Sequence, residues 1–174
     1  MANKNLSTYD PQKSVLVIRG KNNIPHVVGG YQEGSQISMM RKVDTFTDYT
    51  GLDDTPSRVR NNSTTMDFTV HLAQTSSTND ILQALYNADV AEGGSAGVFQ
   101  LDFYDNEGRT SVNARQAYIR KIPDASRTNT ISPQDWIICA VNTDYQLGGN
   151  SVLTPDEVSF LESLGVTVND KWKP

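Results

Sequence analysis

Residues 65–72 alternate without exception: Met66, Phe68, Val70 and Leu72 share one face, and Thr65, Asp67, Thr69 and His71 share the other. Successive side chains of an extended chain point to opposite sides, so a period of two makes one face of a strand apolar. Such a strand has one side on a core and one on water, the arrangement of an antiparallel sheet rather than of a parallel sheet covered on both faces. Residues 97–104 repeat the pattern, with Phe99, Leu101 and Phe103 inward and Gln100, Asp102 and Tyr104 outward. Asp105-Asn106-Glu107-Gly108 then reads as a hairpin turn, because Asn and Gly tolerate the positive φ such turns use. A strand over 110–121 completes the hairpin.

The rest of the chain fits around these strands. Residues 14–19 and 134–143 are apolar on both faces and predict buried strands, and a further strand is expected at 36–43. Ser76-Ser77-Thr78-Asn79-Asp80 is a run of helix-capping residues. Behind it Ile81, Leu82, Leu85 and Ala88 fall at helical spacing, predicting an amphipathic helix over 78–89 that Gly93-Gly94 ends. Residues 123–133 read as a polar loop. Residues 44–62 form a polar connection with no period of its own, and loops that long are uncommon inside a compact domain. The segment carries Phe46, Tyr49, Leu52 and Val59 among Asp44, Asp48, Arg58 and Arg60. Apolar anchors within a polar rim suit an inter-subunit arm, while a mobile surface loop is the plainer reading.

The C-terminal stretch is a local unit of its own. Thr154, Pro155 and Glu157 make a capping box with proline at the first helical position, and Leu153 and Val158 are placed to form a hydrophobic staple. Val158, Leu161 and Leu164 form the apolar stripe of a helix over about 154–164, and Gly165 suits its end. The expected organisation is a β domain over 1–147 and an extension over 148–174. The fold class is mainly β: an antiparallel sandwich or barrel with one embedded helix and a C-terminal helical appendage.

Composition narrows the functions open to such a fold. The 174 residues carry 15 Lys and Arg against 20 Asp and Glu, a formal charge of −5, and the cations are scattered. Tight nucleic-acid binding needs massed cations that displace counterions from phosphates. Val15-Leu16-Val17-Ile18 is the longest apolar run and is far too short to span a bilayer, so no membrane anchor is expected. The N-terminal residues lack an apolar signal core, so no export is expected. The lone Cys139 lies in an apolar run and reads as a small buried hydrophobe.

No set of residues assembles a reaction. His26 and His71 are far apart, with no cysteine or carboxylate at metal-ligand spacing. Asp44 and Asp48, and likewise Asp53 and Asp54, lack the glycine-centred pattern of a calcium loop. Residues 93–97 are glycine-rich but lack the Lys-Ser/Thr of a phosphate loop. Ser76 and Ser77 are capping residues before they are nucleophiles. Neither enzymatic activity nor a cofactor is expected.

Several segments, in order, resemble the tail tube proteins of contractile-tailed bacteriophages. They are Leu6-Ser7-Thr8-Tyr9-Asp10-Pro11 leading into the strand at 14–19; Asp44-Thr45-Phe46-Thr47-Asp48; Gly51; and Ser57-Arg58-Val59-Arg60-Asn61-Asn62. After these come the run from Leu72 to Leu82, Gln116-Ala117-Tyr118-Ile119, Lys121-Ile122-Pro123-Asp124 and the strand opening at Trp136. The resemblance spans about residues 6–145 and leaves the extension outside. It implies a β-sandwich or barrel with a flanking helix, like the tubes of phage tails and type VI secretion, assembled into hexameric rings that stack into a hollow cylinder. It further implies a place in the virion after assembly in the host bacterial cytoplasm. The implied partners are copies of the chain, the tail sheath, the tape measure protein and the baseplate or terminator, with DNA passing unbound.

An acidic chain without cationic clusters fits a conduit, since phosphate-binding cations would act as friction. The polar faces of the alternating strands are then candidates for the bore: Asp67, Thr69, His71, Gln100 and Asp102, with the two aspartates as lumen charge. Two rival readings share the fold. One is another tail component, a terminator or baseplate protein; the other is a non-polymerising β-sandwich binding module.

Overall fold

The computed structural model describes residues 6–174 and is mainly β. Residues 1–5, on which the expectation of no export signal partly rests, lie outside the described residues. Seven strands form the main antiparallel path in the order β2-β1-β7-β8-β9-β6-β3, and an eighth, β10, also pairs with β8. Their spans are β1 Ser14–Arg19, β2 Pro25–Val27, β3 Ile37–Arg41, β6 Met66–Ala73, β7 Phe99–Asp105, β8 Ser111–Lys121, β9 Pro133–Val141 and β10 Asp144–Gln146. The remaining two, β4 Phe46–Thr50 and β5 Pro56–Arg60, pair only with each other. Helix α1 spans Thr78–Glu92 and α2 spans Pro155–Ser163.

The sheet curls until its ends meet. Val27 pairs with Val17 of β1, and the Val28 N–H donates to the Leu16 carbonyl. A few residues on, the Gln32 N–H donates to the His71 carbonyl and the Ala73 N–H to the Gly30 carbonyl. Residues 25–32 thus carry hydrogen bonding from β1 across to β6 and close the circuit at one end. Farther along β6, the same edge is taken by β3, whose outer edge is unpaired among the described residues. A cavity of about 630 Å³ opens there, with Ile37, Met39 and Phe103 among its lining residues.

Alternation places the core as expected. Met66, Phe68, Val70 and Leu72 are buried on the inner face of β6, and Phe99, Leu101 and Phe103 face them from β7. Each such side chain contributes roughly 1.5–3 kcal/mol on leaving water. In β1 and β9 only one face is in the core: Leu16 and Ile18, then Trp136, Ile138 and Ala140. Cys139 is also buried, but on the opposite face of β9, cross-strand from Asp67 and Tyr118. In β8 the buried positions run Val112, Ala114, then Ala117, Ile119, an odd step that breaks the period. The register explains it: Leu101 faces Ala114 but Phe99 faces Ala117, so a bulge turns both Arg115 and Gln116 outward.

The helix α1 is tied to this wall at its first turn. Leu82 is buried in the barrel core, with Leu85 and Tyr86 packed beside it. Ser77 precedes the helix but makes no side-chain cap bond. Instead Ser76 Oγ accepts from the Thr78 N–H at 3.3 Å and donates to the Gly29 carbonyl at 2.5 Å. Asn79 Oδ1 accepts from Trp136 Nε1 at 2.8 Å, linking the helix to β9. At Gly30, φ is +73° and a Cβ would stand 2.6 Å from Ser76, so the close approach needs glycine.

Residues 14–19 and 134–143, apolar on both faces, predict strands buried on both sides, but β1 and most of β9 bury one face only, and two further expectations need correction. The hairpin turn between β7 and β8 exists, but neither Asn106 nor Gly108 has a positive φ. The turn is held by Asp105, whose Oδ1 accepts from the Glu107 N–H at 3.0 Å and whose carbonyl accepts from Gly108. Residues 44–62 are not an irregular loop; they contain the β4–β5 hairpin.

The extension lies against the β7–β8 turn. Arg109 donates its N–H to the Gly149 carbonyl and Nη1 to the Ser151 carbonyl, and its guanidinium sits 4.8 Å from the Trp172 ring centroid. Lys171 Nζ donates to the Asn106 carbonyl at 2.9 Å. The capping box of α2 is complete, and Gly165 at φ +81° ends the helix with its N–H on the Glu162 carbonyl. Apart from Val168, no apolar side chain of residues 148–174 is fully buried. Truncation after Gly149 is expected to leave a folded β domain, less stable by about 1–3 kcal/mol through lost hydrogen bonds and cation–π contact. Circular dichroism with urea titration checks this; an unfolded truncate places α2 within the folding unit.

Candidate assembly surfaces

Two groups of the side chains that the barrel leaves outside hold the sequence-predicted site residues, the hairpin and the outer face of the sheet. The hairpin keeps its own register, Phe46 opposite Arg60, Asp48 opposite Arg58 and Tyr49 opposite Ser57. Its tip is wound tightly: the Gly51 N–H donates to the Thr55 carbonyl, Asp54 takes φ +61°, and Asp53 accepts from the Thr55 N–H. Bonds from the Thr55 side chain and backbone hold the Asp53 carboxyl below its usual range. Every residue of both strands is exposed, although the set includes Phe46, Tyr49 and Val59, and Leu52 at the tip is 112% exposed.

Alternation splits those side chains between two faces. Phe46, Asp48, Arg58 and Arg60 share one, where the Arg58 guanidinium lies 4.4 Å from the Phe46 ring centroid. Tyr49 and Val59 share the other with Thr47 and Ser57. Asp44 is exposed just before the first strand. The structure therefore brings Phe46, Asp48, Tyr49, Leu52, Arg58, Val59 and Arg60 together on one projecting element. Two-stranded hairpins are marginal in water without a packed face, and this one has apolar side chains on both.

The outer face of the sheet holds the second group. Asp67 is only 8% exposed and pairs with Arg120 at 2.6 Å. Asp102, 3% exposed, is bonded by Arg19 and by Asn113. His71 Nδ1 lies 2.8 Å from Asp135 Oδ1, and its Nε2 lies 3.4 Å from Ser38 Oγ. Thr69 is half-buried and Gln100 exposed. The five residues lie on one face but not in one cluster, since β8 and β9 separate β6 from β7. Neither aspartate is a free charge, because each is paired with an arginine. Sequence reasoning missed those pairs: Arg19 and Arg120 lie on other strands, and only the register brings them across.

Among the described residues, no group of three or more His, Cys, Asp or Glu side chains could hold a metal ion. His26 Nε2 is instead 3.1 Å from Thr78 Oγ1, at the start of α1. No helix there is long and apolar enough to cross a membrane.

The family model described as the Bacteriophage PhiTE tail tube protein matches residues 7–148. The chain belongs to that tail tube family. A relative, "Structural protein ORF10" of Pseudomonas phage KPP10, is 39% identical over 167 residues, covering 95% of this chain and 96% of that protein. So small a remainder means that the likeness runs through most of residues 149–174, beyond the end of the family match. Among solved structures, the cap that terminates the tube of the anti-feeding prophage has a TM-score of 0.53 at 12% identity. It covers 84% of this chain and 95% of its own. That likeness is one of fold. A chain of the native gene transfer agent virion has a TM-score of 0.49 at 12% identity over 80% of this chain and 100% of its own.

The tail tube barrel carries one titratable group that is tied to its closure. Tyr31, beside the bridge to Leu72, packs on the core with its hydroxyl buried and unpartnered among the described residues. Burial pushes its pKa from 10.0 up to about 12. Below pH 10 the phenol is neutral in both folded and unfolded chains, so it adds no pH dependence. Between pH 10 and 12 the unfolded chain releases the proton first, and stability falls by up to about 1.4 kcal/mol per pH unit. Tyr31→Phe is expected to remove that component, read as a shallower loss of the urea midpoint across pH 10–12 than in the wild type.

Proposed function

We propose that the protein is the tail tube subunit of a contractile tail, whose copies form hexameric rings that stack into a hollow tube for DNA ejection. The observation that carries this reading is the projecting β4–β5 hairpin, with apolar anchors on both faces and nothing among the described residues to cover them. A monomeric β protein normally blunts such edges and patches. Here Phe46, Tyr49, Leu52 and Val59, ringed by Asp48, Arg58 and Arg60, make an arm whose partners are neighbouring copies. The unpaired edge of β3, from which the arm departs, offers a further seam between subunits. The sheath, the tape measure protein and the tube's end proteins are the remaining partners in this reading. Family membership supports the tube itself, and the fold likeness to a tube-terminating cap favours a place at the end of the tube as the second reading.

Concentrated wild-type protein is expected to form long, uniform hollow rods by negative-stain microscopy. A terminator would give single rings at most. Replacing residues 44–62 by a short Gly/Ser linker is expected to yield a soluble β-rich monomer that no longer sediments as rings or rods. Wild-type-like rods from that variant would sink the arm.

In the same reading the outer face of the sheet lines the bore. Asp102 and Asp67 are matched by Arg19 and Arg120, so these two acids add little uncompensated charge to the wall that DNA meets. Thr69 and Gln100 are the positions where a cation can be added without breaking an ion pair. Thr69→Lys with Gln100→Lys is expected to leave virions assembled but slow DNA release several-fold, through the phosphate attraction the wild type avoids. Unchanged ejection kinetics place this face elsewhere.

A further inference from the structure

The helix of the C-terminal extension carries an apolar face that the described residues leave open. Phe160 of α2 is 65% exposed, and Leu164, the residue that caps its end, is 64% exposed one turn on. A shallow groove of about 390 Å³ runs between Phe160 and the chain before the helix, lined by Leu153, Asp156, Glu157, Phe160 and Leu161. The rim is acidic: Asp156 and Glu157 line the groove, and the helix holds no basic residue. Neither forms an ion pair with a cation among the described residues. Hydrogen bonds from Thr154 keep the Glu157 carboxyl below its usual range, so it stays charged. The cations of the extension are committed elsewhere, Lys171 to Asn106 and Trp172 and Lys173 to Asp170.

A cleft of opposite character lies at the far end of the same strands. It is about 520 Å³ and is lined by Arg19, Lys21, Arg115, Gln100 and Phe99, among others. The bulge in β8 is what turns Arg115 out into it. Arg19 is bound to Asp102, but Lys21 and Arg115 are exposed and unpaired among the described residues. Ile24, on the turn that carries Lys21, is 71% exposed. The register fixes the separation. Ser14 pairs with Asp105, at the turn that holds the extension, whereas Arg19 pairs with Gln100 beside the cleft. A six-residue strand puts these ends roughly 17 Å apart, so α2 cannot reach the cleft of its own chain without leaving the Arg109 and Trp172 contacts.

The geometry points to a head-to-tail contact in which α2 of one copy seats in the Arg19, Lys21 and Arg115 cleft of the next. Phe160 and Leu164 face the exposed Ile24 beside the cleft, and Asp156 and Glu157 meet Lys21 and Arg115. A contact between two different surfaces of identical chains either closes into a ring or propagates as a filament, and two surfaces at opposite ends of the strands suit propagation from one ring to the next. It rests on the tube reading above and adds to it a specific stacking joint, built from the segment that lies beyond the family match.

The test is a charge exchange on the full-length protein. Asp156→Lys, and separately Lys21→Glu with Arg115→Glu, are each expected to raise the concentration for half-assembly of rods at least about tenfold. All three substitutions sit at exposed positions, and circular dichroism checks that each variant is folded. The three together are expected to restore rods, because Lys at 156 again faces acid. Wild-type-like assembly by either variant alone, or no recovery in the triple variant, overturns the contact and leaves the α2 face to a different protein. If the wild type itself makes no rods, the tube reading fails along with this joint, whereas rods indifferent to these changes remove the joint alone.

Discussion

The structure depends on a closed circuit of backbone hydrogen bonds wrapped around one set of inward side chains. Phe68, Val70, Leu101 and Ile138 stay in the core only while each strand keeps its register. A slip of one residue in β6 would send Met66, Phe68, Val70 and Leu72 into water and draw Asp67 and His71 inside. Such a slip would cost several buried side chains at roughly 1.5–3 kcal/mol each and strand a carboxylate, so register is strongly fixed. Closure through residues 25–32 adds a second constraint. It requires the chain to turn at Gly30 under Ser76, and Ser76 in turn caps the helix whose Leu82 fills the core. Sheet closure and helix docking are therefore one event sharing the same few hydrogen bonds.

What lies outside that circuit is arranged by it. The hairpin leaves from β3, the strand at the sheet's free edge, so it projects rather than folding back. The extension clasps the β7–β8 turn, and the bulge in β8 swings Arg115 outward at the other end of the same strands. The barrel thus holds three uncovered surfaces at fixed separations. Their exposed apolar side chains have little to gain within one chain and much to gain from a neighbour.

The barrel was legible because half-buried strands carry their own signature. Met66 to Leu72 and Phe99 to Phe103 show which side is inward without any knowledge of partners. The capping box at Thr154 was equally local, and α2 begins there. The hairpin was illegible for the matching reason. Phe46-Thr47-Asp48-Tyr49-Thr50 has no apolar face because the chain buries neither side of it, so a period-two test has nothing to detect. Strand β2, only three residues long, and β10, cut from β9 by Asn142 at φ +53°, are too short to show a period. The ion pairs of Asp67 and Asp102 were hidden because their arginines stand on other strands, and register is a property of the fold. At Asp105 the turn was visible but its mechanism was not, since an aspartate can hold such a turn by side-chain bonds as well as by φ.

Charge placement follows from the same geometry and gives the molecule a direction. A net charge of −5 says little by itself, because Asp67 and Asp102 on the sheet face are cancelled by cross-strand arginines. Among the charges outside any ion pair are carboxylates on α2 beside the β7–β8 turn, and Lys21 and Arg115 at the opposite mouth. Paired charges on a wall contribute little long-range field, while unpaired ones of opposite sign at these two ends would give the proposed joint a direction. Opposite ends attract head to tail, and like ends repel. In the proposed tube that asymmetry would orient every added subunit the same way before any apolar surface touched, and the exposed Phe160 and Leu164 would then make the contact last.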